Sequence, residues 1–252
     1  MADRLVLAPD YLLPDGGSHG GSGSGFVGYT EGQIPDTDVL GRVGLFVPAY
    51  IEHPNPGWMA EMPSLQVVQL PTVGFDAVVP YLRTGVTLCN AAGVHEQSTA
   101  ELTVGLIITR WRGLDRAARD MPHGTWGHRR GRSLQDAQVL LIGTGGVGTA
   151  IASSLEPFGC RIQKVGRTRR DSIAGRDELP DLLPTADVVI VAVPLTDETS
   201  GLVDDRFLAN MKDGSLLVNV SRGQVAVTAD VVAHAGRLEF ALDVTDPEPL
   251  PP

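Results

Sequence analysis

Short apolar runs separated by chain breakers mark the first 94 residues. The runs at 5–8, 44–47, 65–70 and 86–89 predict buried strands of four to six residues. Between the first two lies the tract 16–25, nearly all Gly and Ser, which buries no core and predicts a flexible loop or linker. From Ser98 to about Arg119 the period lengthens: Leu102, Leu106, Ile107, Ile108, Trp111 and Leu114 recur at helical spacing, with Arg112, Arg116 and Arg119 late in the run. The first half is apolar almost all round, which predicts one largely buried helix, lodged between two domains. A polar loop with Trp126, Arg129, Arg130 and Arg132 follows.

The remainder alternates regularly. Strands are predicted at 139–142, 162–165, 188–193, 216–220 and 240–244. Helices are predicted at 146–158, near 177–183, around 204–212, and from a capping Thr228 to Gly236. The strands are rich in Val, Ile and Leu without polar alternation, as in a parallel sheet covered on both faces. The spacing fits right-handed βαβ units, so the fold class is doubly wound α/β. No internal repeat is visible.

Composition narrows the function. The 252 residues carry 20 Lys and Arg against 30 Asp and Glu, a formal charge of −10, which argues against a nucleic-acid or anionic-membrane partner. Cys89 and Cys160 stand alone, without the spacing of a zinc site or a disulfide framework, so no metal is expected. The apolar runs fall well short of a bilayer span, and the start, Met1-Ala2-Asp3-Arg4, lacks signal-peptide shape. A soluble, cytoplasmic protein is expected.

The strongest chemical signal is Gly143-Thr144-Gly145-Gly146-Val147-Gly148, a G-x-G-x-x-G directly after a strand and opening a helix. Gly143 permits the tight turn, Gly145 lets the backbone approach a pyrophosphate, and Gly148 lets the helix pack on the sheet. The pyrophosphate sits on the free amides at the helix start, around Gly146 and Val147; a tight turn without ligand is the competing explanation. A dinucleotide fold usually places an acidic residue about 20 residues further on, for the ribose hydroxyls. Here Gly166-Arg167-Thr168-Arg169-Arg170 offers no carboxylate before Asp171. Arg167 and Arg169 therefore predict a 2′-phosphate and NADP rather than NAD, unless the loop is simply basic and solvated. Two further strand ends open on the same crevice: Val193-Pro194-Leu195-Thr196 with Thr199, and Asn219-Val220-Ser221-Arg222-Gly223. Arg222 is placed to reach an anion or, alternatively, to form a surface salt bridge. The last strand supplies Asp243, then Asp246-Pro247-Glu248-Pro249. Gly16-Gly17-Ser18-His19-Gly20 fits the nucleophile-elbow pattern but lacks the strand before and helix after it. The Asn219-Val220-Ser221 sequon falls in a core strand and is discounted.

Taken over residues 60–252, this motif set closely resembles the NAD(P)-dependent D-2-hydroxyacid dehydrogenases, in particular the glyoxylate/hydroxypyruvate reductase-like members linked to NADP. Asn90-Ala91-Ala92-Gly93 and Thr99-Ala100-Glu101 add to it, as does Leu242-Asp243-Val244. The resemblance implies a Rossmann dinucleotide domain at 95–252 and a smaller flavodoxin-like α/β substrate domain at 1–94. It implies an oxidoreductase transferring hydride between NADP(H) and a small 2-oxo acid, and a homodimer. Arg222 would pair with the substrate carboxylate and polarise its carbonyl, assisted by backbone amides at Val73 and Gly74. Glu248 would orient and raise the pKa of an acid/base histidine, and Asp243 would lie near the nicotinamide carboxamide.

The chain departs from the family in one respect. Its six histidines are His19, His53, His95, His123, His128 and His234, and none follows Glu248. The final strand, closing helix and acid/base histidine of the family have no counterpart in these residues, so a truncated form of a longer reductase is the expectation. His95, at the start of the long helix, either lines a cleft or caps. His123 and His128 are expected in loops and His234 on a helix surface. The competing function is a dinucleotide-sensing binding protein of the same fold; a purely structural partner domain is weaker.

Overall fold

A computed structural model of the chain describes residues 4–13, 25–30, 32–50, 56–128 and 130–250. The serine of the elbow pattern, most of the Gly/Ser tract, His19, His53 and Arg129 lie outside the described residues. The chain divides into two compact units, Met1–Val94 and His95–Pro252.

In the first unit, β1 (Leu5–Pro9), β2 (Phe26–Tyr29), α1 (Thr37–Leu40), β3 (Val43–Phe46), β4 (Val67–Gln69) and β5 (Thr87–Cys89) follow one another. The strands form one parallel sheet in the order β2-β1-β3-β4-β5. Strand β2 and helix α1 were not expected. Strand β2 is four residues at the sheet edge, with Phe26 outward and Gly28 in the middle, so no apolar period announces it. Its Tyr29 nonetheless packs edge-on to Trp58 at 5.2 Å between ring centres, inside a core with Leu7, Leu40, Phe46, Met62 and Val68.

The second unit begins with α2 (Glu96–Arg112) and α3 (Leu114–Asp120). The single helix expected here is interrupted at Gly113, which closes α2 in the left-handed region at φ 67°. Nor is α2 buried all round. One stripe, Ala100, Thr103, Ile107 and Trp111, is buried, while Leu102 and Leu114 are exposed. There follow β6 (Gln138–Ile142), α4 (Gly146–Leu155), β7 (Arg161–Val165), α5 (Leu179–Leu182), β8 (Val188–Val191), α6 (Asp205–Asn210), β9 (Leu216–Asn219), α7 (Thr228–Ala233) and β10 (Glu239–Leu242).

All five strands are parallel, in the order β10-β9-β8-β6-β7. Alternate residues serve opposite faces: Val188 and Ile190 of β8 enter the core beneath α2 and α4, and Val189 and Val191 enter the core on the other face. This two-sided burial is why the strands read as continuous apolar runs. Each fully buried aliphatic side chain stabilises by roughly 1.5–3 kcal/mol. Thr228 does not cap its helix. Val227 holds the cap position, and the Thr228 hydroxyl donates to the Asp246 carbonyl instead.

Candidate functional site

In the second sheet the chain leaves β6 for β7 on one side and reaches β8 on the other. Strand order therefore reverses between β6 and β8, and at such a switch the loops diverge and leave a crevice at the carboxyl ends of the strands. A cavity of about 480 Å³ lies there, lined by Gly143, Thr144, Gly145, Gly166, Arg167, Arg176, Val193, Pro194, Glu198 and Thr199 among others.

The three motif glycines do different things. Gly143 sits at φ 115°, and a Cβ on it would lie 2.1 Å from the Ala192 carbonyl oxygen. A Cβ on Gly148 would lie 2.0 Å from the Gly143 oxygen. Both are demanded by the fold. At Gly145, by contrast, a Cβ would meet nothing within 4 Å. The protein leaves that space open, and the following residues, Gly146, Val147 and Gly148, form the first turn of α4, which has no side-chain cap. Open space beside first-turn amides fits the pyrophosphate of a dinucleotide.

Around the mouth, the Thr199 hydroxyl accepts from the Thr196 amide at 2.9 Å and donates to the Pro194 carbonyl at 2.6 Å, which locks that turn. Arg167 forms an ion pair with Glu198, and the Arg176 Nη1 donates to the Glu198 carbonyl at 2.5 Å. Thr168 is exposed and is not part of the cavity lining. Arg169 also lies outside the lining. It binds Glu178 through Nε at 2.9 Å and through a second guanidinium nitrogen. That bidentate grip, reinforced by the Gly175 amide, holds the Glu178 carboxyl down at about 2. Arg176 and Glu198 escaped sequence reasoning, because neither stands at a strand end where spacing draws attention.

Beside the crevice, Ser221 ties two strand ends together: its hydroxyl donates to the Val191 carbonyl at 3.0 Å and accepts from the Val193 amide at 2.9 Å. The Val220 amide also binds the Val191 carbonyl, and its side chain is buried. Half-buried Arg222 donates from Nη1 to the Ser221 carbonyl, and its own carbonyl accepts from the Asn219 side chain at 3.1 Å. A Cβ on Gly223 would lie 2.0 Å from the Thr245 oxygen, so the segment from Asp243 onward packs directly on the Arg222 turn. Asp243 is exposed as a residue, yet partial desolvation of its carboxyl pushes its pKa up, and repulsion from Glu248 adds to this. Glu248 is exposed.

The histidines fall elsewhere. The His95 carbonyl accepts from the Thr99 amide and the Ser98 hydroxyl at the start of α2, and His123 and His128 are exposed. His234 closes α7 and is half-buried rather than open to solvent as expected. Its side chain is 14% exposed and sits between Asp205, at 2.9 Å, and Arg237. In the first unit, the Asn90 side chain donates to the Val73 carbonyl at 2.9 Å, and the Thr72 hydroxyl donates to that of Gly74 at 2.8 Å. Among the described residues, the Val73 and Gly74 amides are left without acceptors.

Comparison with known proteins agrees with this geometry. Glyoxylate reductase/hydroxypyruvate reductase of Mus musculus is 33% identical over 205 residues, 75% of this chain and 62% of its own length. The human protein of the same name is 34% identical over 204 residues, with the same coverage. The chain thus spans about three fifths of the length of these curated relatives. Among solved structures, the TT0316 protein of Thermus thermophilus is 29% identical with a TM-score of 0.79, covering 99% of this chain and 84% of that one. A D-isomer specific 2-hydroxyacid dehydrogenase from Xanthobacter autotrophicus Py2, solved with NADPH and MES, is 28% identical with a TM-score of 0.72, covering 89% and 72%. Residues 104–252 match the family model for the NAD binding domain of D-isomer specific 2-hydroxyacid dehydrogenases. With more than half its length in that match and an open glycine cradle inside it, the chain belongs to the D-isomer specific 2-hydroxyacid dehydrogenase family and takes a nicotinamide dinucleotide as cofactor.

Proposed function

We propose that this protein transfers hydride between NADP(H) and a small 2-oxo or D-2-hydroxy acid of the glyoxylate or hydroxypyruvate kind. The observation that carries the proposal is the crevice itself: an open Gly145 cradle, two arginines at its mouth, and Arg222 pinned beside it by Asn219 and Ser221. The names of the curated relatives and the NADPH bound to the Xanthobacter protein support the substrate and cofactor classes.

A bound nicotinamide supplies the hydride. The chain's own residues hold and polarise. The first-turn amides of α4 take the pyrophosphate. The Arg222 guanidinium takes the substrate carboxylate and draws electron density from the adjacent carbonyl; its two backbone anchors preorganise that charge. In the first unit, the Val73 and Gly74 amides, without acceptors among the described residues, are donors suited to a carboxylate. Asp243 takes the carboxamide. Glu248 is the carboxylate that would hold a proton-donating imidazole charged and oriented. A homodimer and a cytoplasmic place belong to the same proposal.

The test is NADPH oxidation by the full-length protein with glyoxylate and with hydroxypyruvate. Arg222→Ala is expected to lower kcat/KM by about 10²–10³-fold, as for loss of a preorganised electrostatic donor, while NADPH still binds. NADPH binding without turnover of any 2-oxo acid would replace the enzyme with a dinucleotide-sensing protein of the same fold.

A further inference from the structure

The mouth of the crevice holds two guanidiniums that converge on one acidic residue. Arg167 reaches the Glu198 carboxylate, and Arg176 reaches the Glu198 backbone carbonyl. All three line the cavity, while Arg169 is committed to Glu178 outside it. Arg176 spends one donor on a neutral carbonyl and forms no ion pair among the described residues. We propose that Arg176 and Glu198 set the cofactor preference: Arg176 is the second phosphate-binding arginine beside Arg167, and Glu198 is an internal anion that occupies Arg167 until a ribose 2′-phosphate displaces it. This rests on the NADP(H) reading above.

The physical reason is an exchange of anions. A phosphomonoester carries between one and two negative charges at neutral pH and three acceptor oxygens, so it can bind both arginines at once. The Glu198 carboxylate carries one charge and hydrogen-bonds Arg167, while Arg176 acts on it only through space. The Arg167 side chain is 75% exposed and that of Glu198 51%, so separating them in water costs little. A ribose with a free 2′-hydroxyl brings no charge, leaves the pair closed, and gains nothing from Arg176. Discrimination thus comes from the exchange, with Arg167 shared between two anions, and Arg169 contributes less than its sequence position suggests.

Calorimetric titration of the purified chain with 2′,5′-ADP and with 5′-AMP isolates the 2′-phosphate without turnover. The wild type is expected to prefer 2′,5′-ADP. Arg176→Ala should weaken 2′,5′-ADP about tenfold, as for one exposed charge-assisted hydrogen bond, and 5′-AMP by less than about twofold. Arg176→Lys should recover part of the loss, and Arg169→Ala should cost less than Arg176→Ala. Glu198→Gln should tighten 2′,5′-ADP by about threefold or more, because its competitor is gone. If Arg176→Ala weakens both nucleotides equally, or Glu198→Gln fails to tighten 2′,5′-ADP while the wild-type preference stands, this assignment falls and the NADP(H) reading survives. A wild type indifferent to the 2′-phosphate overturns both.

Discussion

The two sheets share one strand order and differ in the turn that follows the first strand. Counted from its own first strand, each sheet runs 2-1-3-4-5, so each has its switch between the first and third strands. In the second unit that first strand runs into glycines, and the chain turns so tightly that Gly143 touches Ala192 and helix amides face open space. In the first unit β1 runs into a 3-10 turn at Asp10–Leu12. There the Asp10 carboxylate accepts from the Thr30 hydroxyl at 2.8 Å and fills the space over Gly28. In the first unit the turn's own carboxylate fills the space, whereas in the second unit the space at Gly145 is open and the nearby carboxylate, that of Glu96 against Gly146, comes from α2. Topology puts a switch point in either sheet, and the residues of the turn beside it decide whether open amides are offered there.

The comparison breaks most sharply at Gly148. Gly148→Val forces a side chain into the Gly143 carbonyl; a loss of about 3 kcal/mol in chemical denaturation is expected, with loss of cofactor binding. Gly145→Ala tests the other kind of glycine. Unfolding should move by less than about 0.5 kcal/mol, because the Cβ meets only open space, while NADPH affinity in a fluorescence titration falls about tenfold. Equal effects at the two positions would mean that the open space at Gly145 is not a ligand's.

The amino ends of the sheets sharpen the contrast further. In the second unit Asp187 accepts from the Gln138 amide at 2.9 Å, Lys212 at 2.8 Å and Arg132 at 3.3 Å. In the first, an exposed pair joins Arg4 to Gln66. Burial alone would raise the Asp187 pKa, but the amide and the two cations outweigh it and hold the carboxyl low. A depressed folded pKa stabilises above the unfolded value, near 3.9, and that contribution is lost as pH falls through the folded value. Asp187→Asn should therefore cost about 1–2 kcal/mol at pH 7, and the gap to wild type should close below about pH 4 in urea melts. The smallest effect belongs to Asp10→Ala, expected to shift unfolding by less than about 0.5 kcal/mol because the Thr30 pair is exposed, with NADPH affinity unchanged.

Much of the fold was legible because a sheet buried on both faces writes itself as apolar runs. Strands β6 to β10 were all anticipated within two residues at either end. Strand β2 was not, because half of it faces outward at an edge. The break at Gly113 was missed because a glycine in a helical pattern is tolerated until its φ turns positive. Within the crevice, spacing points to glycine at 143 and 148, where the structure shows a positive φ and close backbone approaches. The carboxylate partners of Arg167, Arg169 and His234 lie 31, 9 and 29 residues away in sequence, beyond any local pattern.

The sequence by itself determined the strands of the second sheet, the glycine turn and the family, for these depend on local backbone sterics and on the period of apolar residues. Only the tertiary structure decided which charges meet. Ion pairs form between loops that the sheet brings together, so Arg176 entered the crevice and Arg169 left it through contacts that no spacing rule encodes.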